Sequence, residues 1–395
     1  MFFEISKKTN DLFGSTIHLP NGLIFNSDLG WKEYNIDSIH IVYKGYHTES
    51  FSQELLFKNM LKDHTPRYKG SFYMIISNNT QTVVTHNIDR SSPLVLGQDS
   101  ISNLFTVSND KETNLWADRY VTVDKNFNTD QKILSTYGNT FLEYSFDTAL
   151  KLVDNLICES FENFLTHNTR PIKVFLSGGI DTLTVYTYLD KFTKNYEILD
   201  YEYNKFTHFY RNNFQSRLRK FWAYQQIHSW GEVPTVLMTG ACGDEYFLRG
   251  PTTANMMLLH YNIDVLKELE KHPTCYHYDY FKRDKNIKLF NDQKNNSTLL
   301  NQCKNKDTTI KNILNILVND HQHWHIDETL FFTPFKNLKI AEILLGLPKN
   351  DLLQQVLDAR FQKELIKNID SSKITFLSKF KNFEYLKYPM IPTKS

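Results

Sequence analysis

The sequence predicts a mixed fold in two parts: an antiparallel, β-layered α+β domain over residues 1–140, then an α/β domain over residues 141–395 with a doubly wound parallel sheet and a helical C-terminal part. Three observations predict it. The chain has 395 residues, more than a usual single domain. Short segments rich in β-branched and aromatic residues dominate the first part. Apolar segments of strand and helix type alternate in the second part, which is typical of a parallel sheet.

The composition is that of an ordinary globular protein. Hydrophobic residues make up 41% of the chain and charged residues 23%. The formal net charge is +1, from 45 basic and 44 acidic residues, so charge does not favour broad binding to nucleic acid or to a membrane surface. The chain begins without the apolar run of a signal peptide, contains no membrane-spanning segment and has four cysteines without a C-x-x-C pair. We therefore expect a cytoplasmic protein without membrane or nucleic-acid partners.

The first part contains a succession of short predicted strands. They lie in “SIHIVYKGYH”, “GSFYMIIS”, “TQTVVTHN” and “NLFTVSN”. Between them stand Asn, Gly, Asp, Ser and Pro, which favour turns. Several strands at such close spacing predict a sandwich or a layered antiparallel sheet.

The second part opens with an amphipathic helix in “FDTALKLVDNLICESFENFL”, whose apolar residues recur at helical spacing. Predicted strands follow in “IKVFLS”, “YEILDYEY” and “PTVLMTG”, and predicted helices in “TLTVYTYLDKFTK” and “RLRKFWAYQQIHSW”. This alternation indicates a parallel sheet with right-handed crossovers. Beyond Pro251 the pattern is mostly helical, apart from the polar segment “RDKNIKLFNDQKNNSTLLNQCKNKD”, for which we expect a mobile surface loop.

A glycine-rich turn joins the first of these strands to the helix after it. Gly178 and Gly179 permit close approach of the backbone, so that N–H groups of the loop and of the helix N-terminus face one point, which suits a phosphate. Ser177 and Thr182 add hydroxyl donors. Asp181 would repel a phosphate unless a cation lies between them, so its presence indicates Mg²⁺. The alternative is an ordinary strand-to-helix turn in which Asp181 or Thr182 is the helix N-cap.

A second turn repeats this design. In “VLMTGACGDEYFLRG” an apolar strand ends in small residues, which lead to Asp244 and Glu245. Ligands of a parallel sheet collect at the carboxyl ends of its strands, so both turns point to the same edge. We expect Asp181 and Asp244 to share one metal ion there. The alternative is that Asp244 and Glu245 only begin a helix.

These two turns resemble the motifs of a known family. Residues 177–182 resemble the pyrophosphate-binding S-G-G-[LI]-D-S loop of N-type ATP pyrophosphatases, and residues 239–247 resemble the S-G-x-G-[SA]-D-E-[LV]-F stretch of the asparagine synthetase and β-lactam synthetase branch. Residues 248–250, “LRG”, depart from the two glycines and tyrosine usual in the family. The resemblance implies ATP and Mg²⁺, with Asp181 and Asp244 as metal ligands. The nucleotide-binding residues that it implies are Leu176, Ser177, Gly178, Gly179, Asp181, Thr182 and Gly240.

The resemblance extends toward both ends of the chain. “KGSFYMIISNNTQTVVTHNIDRSSPLVL” is similar to the N-terminal amidohydrolase domain of the family, and “TPFKNLKIAEILLGLP” to its P-F-L-D segment, with Lys336 and Asn337 in place of Leu-Asp. Glutamine-using members carry a cysteine directly after the initiator methionine, whereas this chain begins with Met1, Phe2 and Phe3. We therefore expect a degenerate amidotransferase-like domain without glutamine hydrolysis, and an amine that comes from ammonia or from the substrate.

The family implies further catalytic side chains. In the family, a glutamate past the D-E motif contacts the intermediate, and counting forward leads to the neighbourhood of Asp264, with Glu268 and Glu270 close by. A lysine near the carboxyl terminus stabilises pyrophosphate, and “FLSKFKN” supplies Lys379 and Lys381. A plain surface charge explains either lysine equally well. The catalytic set implied is Asp181, Asp244, Glu268, Lys379 and Lys381.

Three functions fit these features. The first is an AMP-forming ligase, in which a small-molecule carboxylate displaces pyrophosphate from ATP and passes its acyl group to ammonia or an amine. The second is another adenylating enzyme acting on a nucleotide or tRNA, which the net charge of +1 and the lack of paired cysteines disfavour. The third is an ATP-binding regulator that has lost its chemistry. The acid, the amine and the oligomeric state stay open.

Overall fold

The structure is a computed structural model. It describes residues 3–11, 13–27, 30–47, 70–86, 94–103, 113–114, 119–133, 141–174, 179–198, 236–238, 240, 242–319 and 331–377. The predicted helix at residues 217–230 lies outside the described residues. So does residue 140, where the sequence predicts the domain boundary, and that boundary stays a prediction.

The first half of the chain contains strands in two sheets. Their bounds are β1 (Phe3–Ser6), β2 (Ser15–His18), β3 (Ile24–Ser27), β4 (Lys32–Ile36), β5 (Ile39–His47), β6 (Gly70–Ser77), β7 (Gln81–His86), β8 (Val95–Leu96), β9 (Ser100–Ser102), β10 (Thr113–Asn114), β11 (Arg119–Asp124) and β12 (Thr129–Ile133). Neighbours pair antiparallel in the orders β10-β8-β9-β1-β3-β2 and β12-β11-β7-β6-β5-β4.

The two sheets share a hydrophobic core. One cluster of buried side chains draws Phe3 and Phe25 from the first sheet and Tyr73 and Val84 from the second. The rings of Phe3 and Tyr73 lie 5.3 Å apart, edge to face. The predicted antiparallel layers are therefore confirmed.

The second half contains a short parallel sheet and a series of helices. The strands are β13 (Ile172–Val174), β14 (Glu197–Ile198), β15 (Val236–Met238) and β16 (Phe331–Phe332). The helices are α1 (Phe146–His167), α2 (Ile180–Phe192), α3 (Gly243–Tyr246), α4 (Pro251–His260), α5 (Val265–Lys271), α6 (Tyr278–Phe281), α7 (Asp284–Asn295), α8 (Ser297–Cys303), α9 (Lys306–Asn319), α10 (Leu338–Leu345), α11 (Lys349–Asp358) and α12 (Arg360–Asp370). The mixed α/β character and the helical C-terminal part are thus confirmed.

The four strands pair in the order β14-β13-β15-β16, and each described pairing is parallel. Ile172 lies opposite Val236, and Val174 opposite Met238. Because β13 and β15 are adjacent and parallel, the turns that follow them leave the sheet at the same edge.

Helix α1 shows why the helical spacing is a strong signal. The side chain of Ser145 caps its first turn by accepting a hydrogen bond from the backbone N–H of Thr148. Apolar residues of its buried face recur every three or four positions. They are Ala149, Val153, Ile157, Phe161 and Phe164. This face packs into the large core cluster of the second half.

The prediction of a surface loop for the Asn- and Lys-rich segment after Phe281 is wrong, because that segment forms α7 and α8. Its polar side chains make specific contacts. Asn296 caps α8 by accepting from the backbone N–H of Leu299 at 3.0 Å. Gln293 is buried and accepts a hydrogen bond from Asn255 at 2.8 Å. The polar composition predicted a solvent-exposed loop. Helix caps and buried polar pairs instead stabilise these residues in helices.

Candidate functional site

Described residues that follow β13 and β15 lie against one another, with Gly240 and Gly243 next to the start of α2. Helix α2 begins at Ile180 after its cap residue Gly179, and the one-turn helix α3 begins after Cys242. Since Gly179 is the N-cap, neither Asp181 nor Thr182 has the capping role that the alternative interpretation assigned to them.

Two glycines after β15 lie directly against the first turn of α2. A Cβ atom at Gly240 would lie 2.5 Å from the backbone nitrogen of Thr182 and 2.6 Å from the carbonyl carbon of Asp181. A Cβ at Gly243 would overlap the carboxylate of Asp181. Glycine is required at both positions because the second turn packs directly on the start of α2.

A third residue of this turn has an unusual backbone. Cys242 has a φ of 66°, in the left-handed region, at the position where the family pattern S-G-x-G has its second glycine. Its thiol is buried, and burial raises its pKa, so it stays protonated. A non-glycine residue thus holds a left-handed backbone conformation at this point of the turn.

Asp181 and Asp244 are brought together, and Arg249 lies between them. One terminal nitrogen of Arg249, Nη2, contacts Oδ1 of Asp181, and the other, Nη1, lies 2.9 Å from Oδ1 of Asp244. The side chain of Arg249 is 1% exposed, that of Asp181 17% and that of Asp244 35%. The cation between the two aspartates is therefore a side chain of the protein itself.

Two further side chains complete this cluster. Gln362 of α12 donates from Nε2 to Oδ1 of Asp181 at 2.8 Å. Arg249 donates from Nη1 to Nε2 of His277 at 2.8 Å, because arginine has no acceptor. Burial and the charge of Arg249 hold the pKa of His277 well below its usual range, so the ring is neutral.

Electrostatics bind the pair and the arginine to one another. Burial raises the pKa of Asp181, while the positive charge of Arg249 acts in the opposite direction. Burial by itself lowers the pKa of Arg249, but Asp181 and Asp244 more than offset it, so the guanidinium stays charged. The guanidinium and the carboxylates stabilise one another in the protein interior, where an unpaired charge would be unfavourable.

The backbone after α3 places the arginine. Leu248 has a φ of 56°, and the N–H groups of Arg249 and Gly250 both donate to the carbonyl of Asp244, at 2.6 and 2.7 Å. The chain turns back on itself there, so the side chain of Arg249 enters the site. The sequence contains a signal for the role of Arg249, because “LRG” departs from the family pattern. That departure by itself does not predict which residues Arg249 contacts.

The start of α2 is also contacted from the helical region. The backbone N–H of Ile180 donates to the hydroxyl oxygen of Tyr276 at 3.0 Å. Tyr276 is held in turn by a hydrogen bond from its own N–H to Asp358 at 3.0 Å. One of the N–H groups expected to face a phosphate therefore has a partner within the chain.

Three buried polar atoms of this cluster have no hydrogen-bond partner among the described residues. They are Nε of Arg249, Nδ1 of His277 and Oε1 of Gln362. Buried polar atoms are normally hydrogen-bonded. All three lie on side chains that belong to the cluster around Asp181.

The other predicted site residues are distributed unevenly. Gly179 accepts a hydrogen bond from the hydroxyl of Thr182 at 3.1 Å, within the first turn of α2. Glu268 lies on α5, where it pairs with Lys271 at 2.7 Å, and no hydrogen bond or ion pair between described residues joins it to either aspartate. Outside the described residues lie Leu176, Ser177, Gly178, Lys379 and Lys381.

The aspartate pair does not fit Mg²⁺ while Arg249 is in this position. Proton donors of Arg249 and Gln362 converge on Oδ1 of Asp181, where a metal would need a free lone pair. The described residues hold no cluster of three or more His, Cys, Asp or Glu that would ligate a metal. The expected magnesium pair is thus a carboxylate–guanidinium–carboxylate cluster in this structure.

No protein-family model matches the chain, and no curated protein matches it. Among solved structures it is similar to a glutamine phosphoribosylpyrophosphate amidotransferase from B. subtilis complexed with ADP and GMP, with 11% identity and a TM-score of 0.23 over 44% of this chain and 54% of that one. It is also similar to an allosteric regulatory enzyme of purine biosynthesis, with 9% identity and a TM-score of 0.21 over 44% and 54%. The chain thus spans about half the length of these two proteins, and likenesses at these TM-scores establish neither a fold nor a function. No helix in the described ranges is both long and apolar enough to cross a bilayer.

Proposed function

We propose that the protein is an ATP-dependent, AMP-forming ligase of the asparagine synthetase type, which joins a carboxylate to ammonia or an amine without hydrolysing glutamine itself. One observation carries the proposal. Strands β13 and β15 are adjacent and parallel, Gly240 and Gly243 pack against the start of α2, and Asp181 and Asp244 contact one guanidinium. The carboxyl edge of a parallel sheet is where such folds bind their ligands.

The proposed reaction has two steps. An oxygen of the substrate carboxylate attacks the α-phosphorus of ATP, and the bond from that phosphorus to the bridging oxygen breaks, releasing pyrophosphate. The amine nitrogen then attacks the acyl carbon, the bond to the AMP oxygen breaks, and the amine loses a proton. N–H groups at the start of α2 bind phosphate oxygens, while Arg249 offsets the negative charge of the aspartates that would otherwise repel them.

Exchange of labelled pyrophosphate into ATP, with a panel of carboxylic acids, tests the first step. We expect exchange with at least one acid and its loss in Asp181→Asn. A matched control is Asp351→Asn, which removes a carboxylate from the surface pair with Arg360. If no acid supports exchange although ATP binds, the ligase assignment is rejected.

A second candidate is an ATP-binding regulator without chemistry. It is favoured by the groups of the chain that already contact the site, since Arg249 joins the two aspartates and the hydroxyl of Tyr276 accepts from the start of α2. Calorimetry with ATP separates the two candidates. Binding without pyrophosphate exchange favours the regulator, and the absence of binding rejects both.

A further inference from the structure

The carboxylate–guanidinium–carboxylate cluster determines which cation the site holds. Arg249 is among the largest fully buried side chains of the described residues. An isolated charge at this depth would be strongly unfavourable, so Arg249 requires the two carboxylates that contact it. The dependence is mutual, because Asp181 and Asp244 lie close together and require a positive charge between them.

We propose that Arg249 is the resident cation of this acidic pair and that it excludes a divalent metal ion from Asp181 and Asp244. The site is then preorganised with a monovalent cation that is part of the chain. The consequence for nucleotide binding, which rests on the proposed function, is that ATP binds without a metal ion bridging it to these aspartates.

The arrangement of donors supports exclusion. Oδ1 of Asp181 receives N–H donors from both Arg249 and Gln362, so its lone pairs on that side are used. Mg²⁺ needs near-octahedral oxygen ligands at about 2.0–2.1 Å. A metal at this point would face the hydrogens of a guanidinium and an amide, with its own charge next to that of Arg249.

The arginine is also fixed in its place. Its backbone N–H donates to the carbonyl of Asp244 at 2.6 Å, the left-handed Leu248 sets the direction of the turn, and His277 accepts from its guanidinium. Moving the side chain to solvent would break its contacts with His277, Asp181 and Asp244 and leave Asp181 without its cation. This geometry favours an arginine that stays at the two aspartates over one that a metal ion displaces.

A titration with Mn²⁺ alone tests the proposal. Binding is measured as the loss of the electron paramagnetic resonance signal of the free ion. We expect that the unmodified protein binds no Mn²⁺ at the aspartate pair, so that Asp181→Asn leaves its Mn²⁺ binding unchanged. Arg249→Met removes the charge at similar side-chain length and should create one Mn²⁺ site, at least about tenfold tighter than any in the parent protein. Arg249→Lys keeps the charge and should create none.

Two controls sharpen the result. Arg360→Met removes an arginine that pairs with Asp351 at 2.7 Å on the surface and should leave metal binding unchanged. The double variant Arg249→Met with Asp181→Asn should lose the new site. Circular dichroism reports whether each variant folds, and if Arg249→Met does not, the comparison of the parent with Asp181→Asn and Asp244→Asn decides the question.

The proposal is overturned if the parent protein binds one Mn²⁺ ion that either aspartate variant abolishes, because Arg249 would then leave the pair for the metal. It is also overturned if Arg249→Lys gains the same site as Arg249→Met. ATP affinity is measured separately in EDTA and in Mg²⁺, and we expect the two values to agree within about twofold. Failure of ATP to bind under either condition rejects the proposed function but leaves the metal result standing.

Discussion

Helix α2 has an aspartate cluster at each end, and the two clusters are built differently. At its start, Asp181 shares Arg249 with Asp244, and three polar atoms nearby lack partners among the described residues. Near its end, Asp190 accepts from Tyr196 at 2.7 Å and from Lys373 at 2.6 Å, and Lys194 adds a third donor.

The two clusters differ in how the helix dipole acts on each aspartate. An aspartate near a helix C-terminus opposes the helix dipole, so Asp190 needs its cations for stability and has them. Asp181 lies in the first turn, where the dipole already favours a negative charge, yet a buried arginine is bound there with a polar shell that is only partly satisfied. The dipole accounts for the cations around Asp190, whereas Asp181 has both the dipole and a buried arginine.

The largest expected effect is that of Arg249→Met on folding. Removing one partner of a buried charge cluster leaves Asp181 and Asp244 uncompensated and should lower the free energy of unfolding by about 3–5 kcal/mol. Urea denaturation at pH 7 measures it. Adding Asp181→Asn should recover part of the loss, because the second change removes one of the stranded charges. A purely additive double variant would show that Arg249 and Asp181 are not coupled.

The next effect concerns the contact between the turns. Gly240→Ala should lower the free energy of unfolding by about 2–3 kcal/mol, because the new methyl group meets the backbone of Asp181 and Thr182 and the turns must separate. Gly250→Ala is the matched control. Its Cβ would be 3.7 Å from the nearest atom, so we expect a change within about 0.5 kcal/mol. Equal effects in thermal melts would contradict the packing of the two turns.

The cluster at the other end of α2 predicts a dependence on pH. Burial raises the pKa of Asp190, but hydrogen bonds from Lys194, Lys373 and Tyr196 outweigh it and leave the pKa well below its usual range. A lowered pKa stabilises the fold at a pH above the unfolded-state value, and this contribution disappears as the pH falls through the folded-state value. Asp190→Asn should therefore cost about 2 kcal/mol at pH 7 and progressively less below about pH 4.

Denaturation series from pH 7 to pH 2 measure this difference. Lys194→Gln is the control, because that lysine side chain is 75% exposed and should contribute less than about 0.5 kcal/mol. A constant difference between the parent and Asp190→Asn across the series would mean that Asp190 contributes through packing and not through its charge.

The smallest effect is expected for Tyr276→Phe. Loss of the hydroxyl leaves the N–H of Ile180 without this acceptor and should cost about 1 kcal/mol of stability. The same change frees a donor at the start of α2, so ATP affinity measured by calorimetry should rise. Lower stability together with weaker ATP binding would place the hydroxyl among the groups that bind the ligand.

Local pattern by itself determined much of this protein. Short segments rich in β-branched and aromatic residues predicted β5, β6 and β7, and the helical spacing of Ala149, Val153 and Ile157 predicted α1. The short apolar segments before each glycine turn predicted β13 and β15, and with them the common edge to which both turns point. These features depend on neighbours a few residues apart, whose preferences are visible in the sequence.

Only the tertiary structure decided what lies at that edge. Arg249 reaches Asp181 across 68 positions of the chain, Tyr276 reaches Ile180 across 96, and Gln362 reaches Asp181 across 181. Such contacts result from the packing of distant elements, and no local preference encodes them. The sequence therefore predicted two aspartates around a cation, but the identity of the cation in this structure depended on a backbone turn that brings a buried arginine between them.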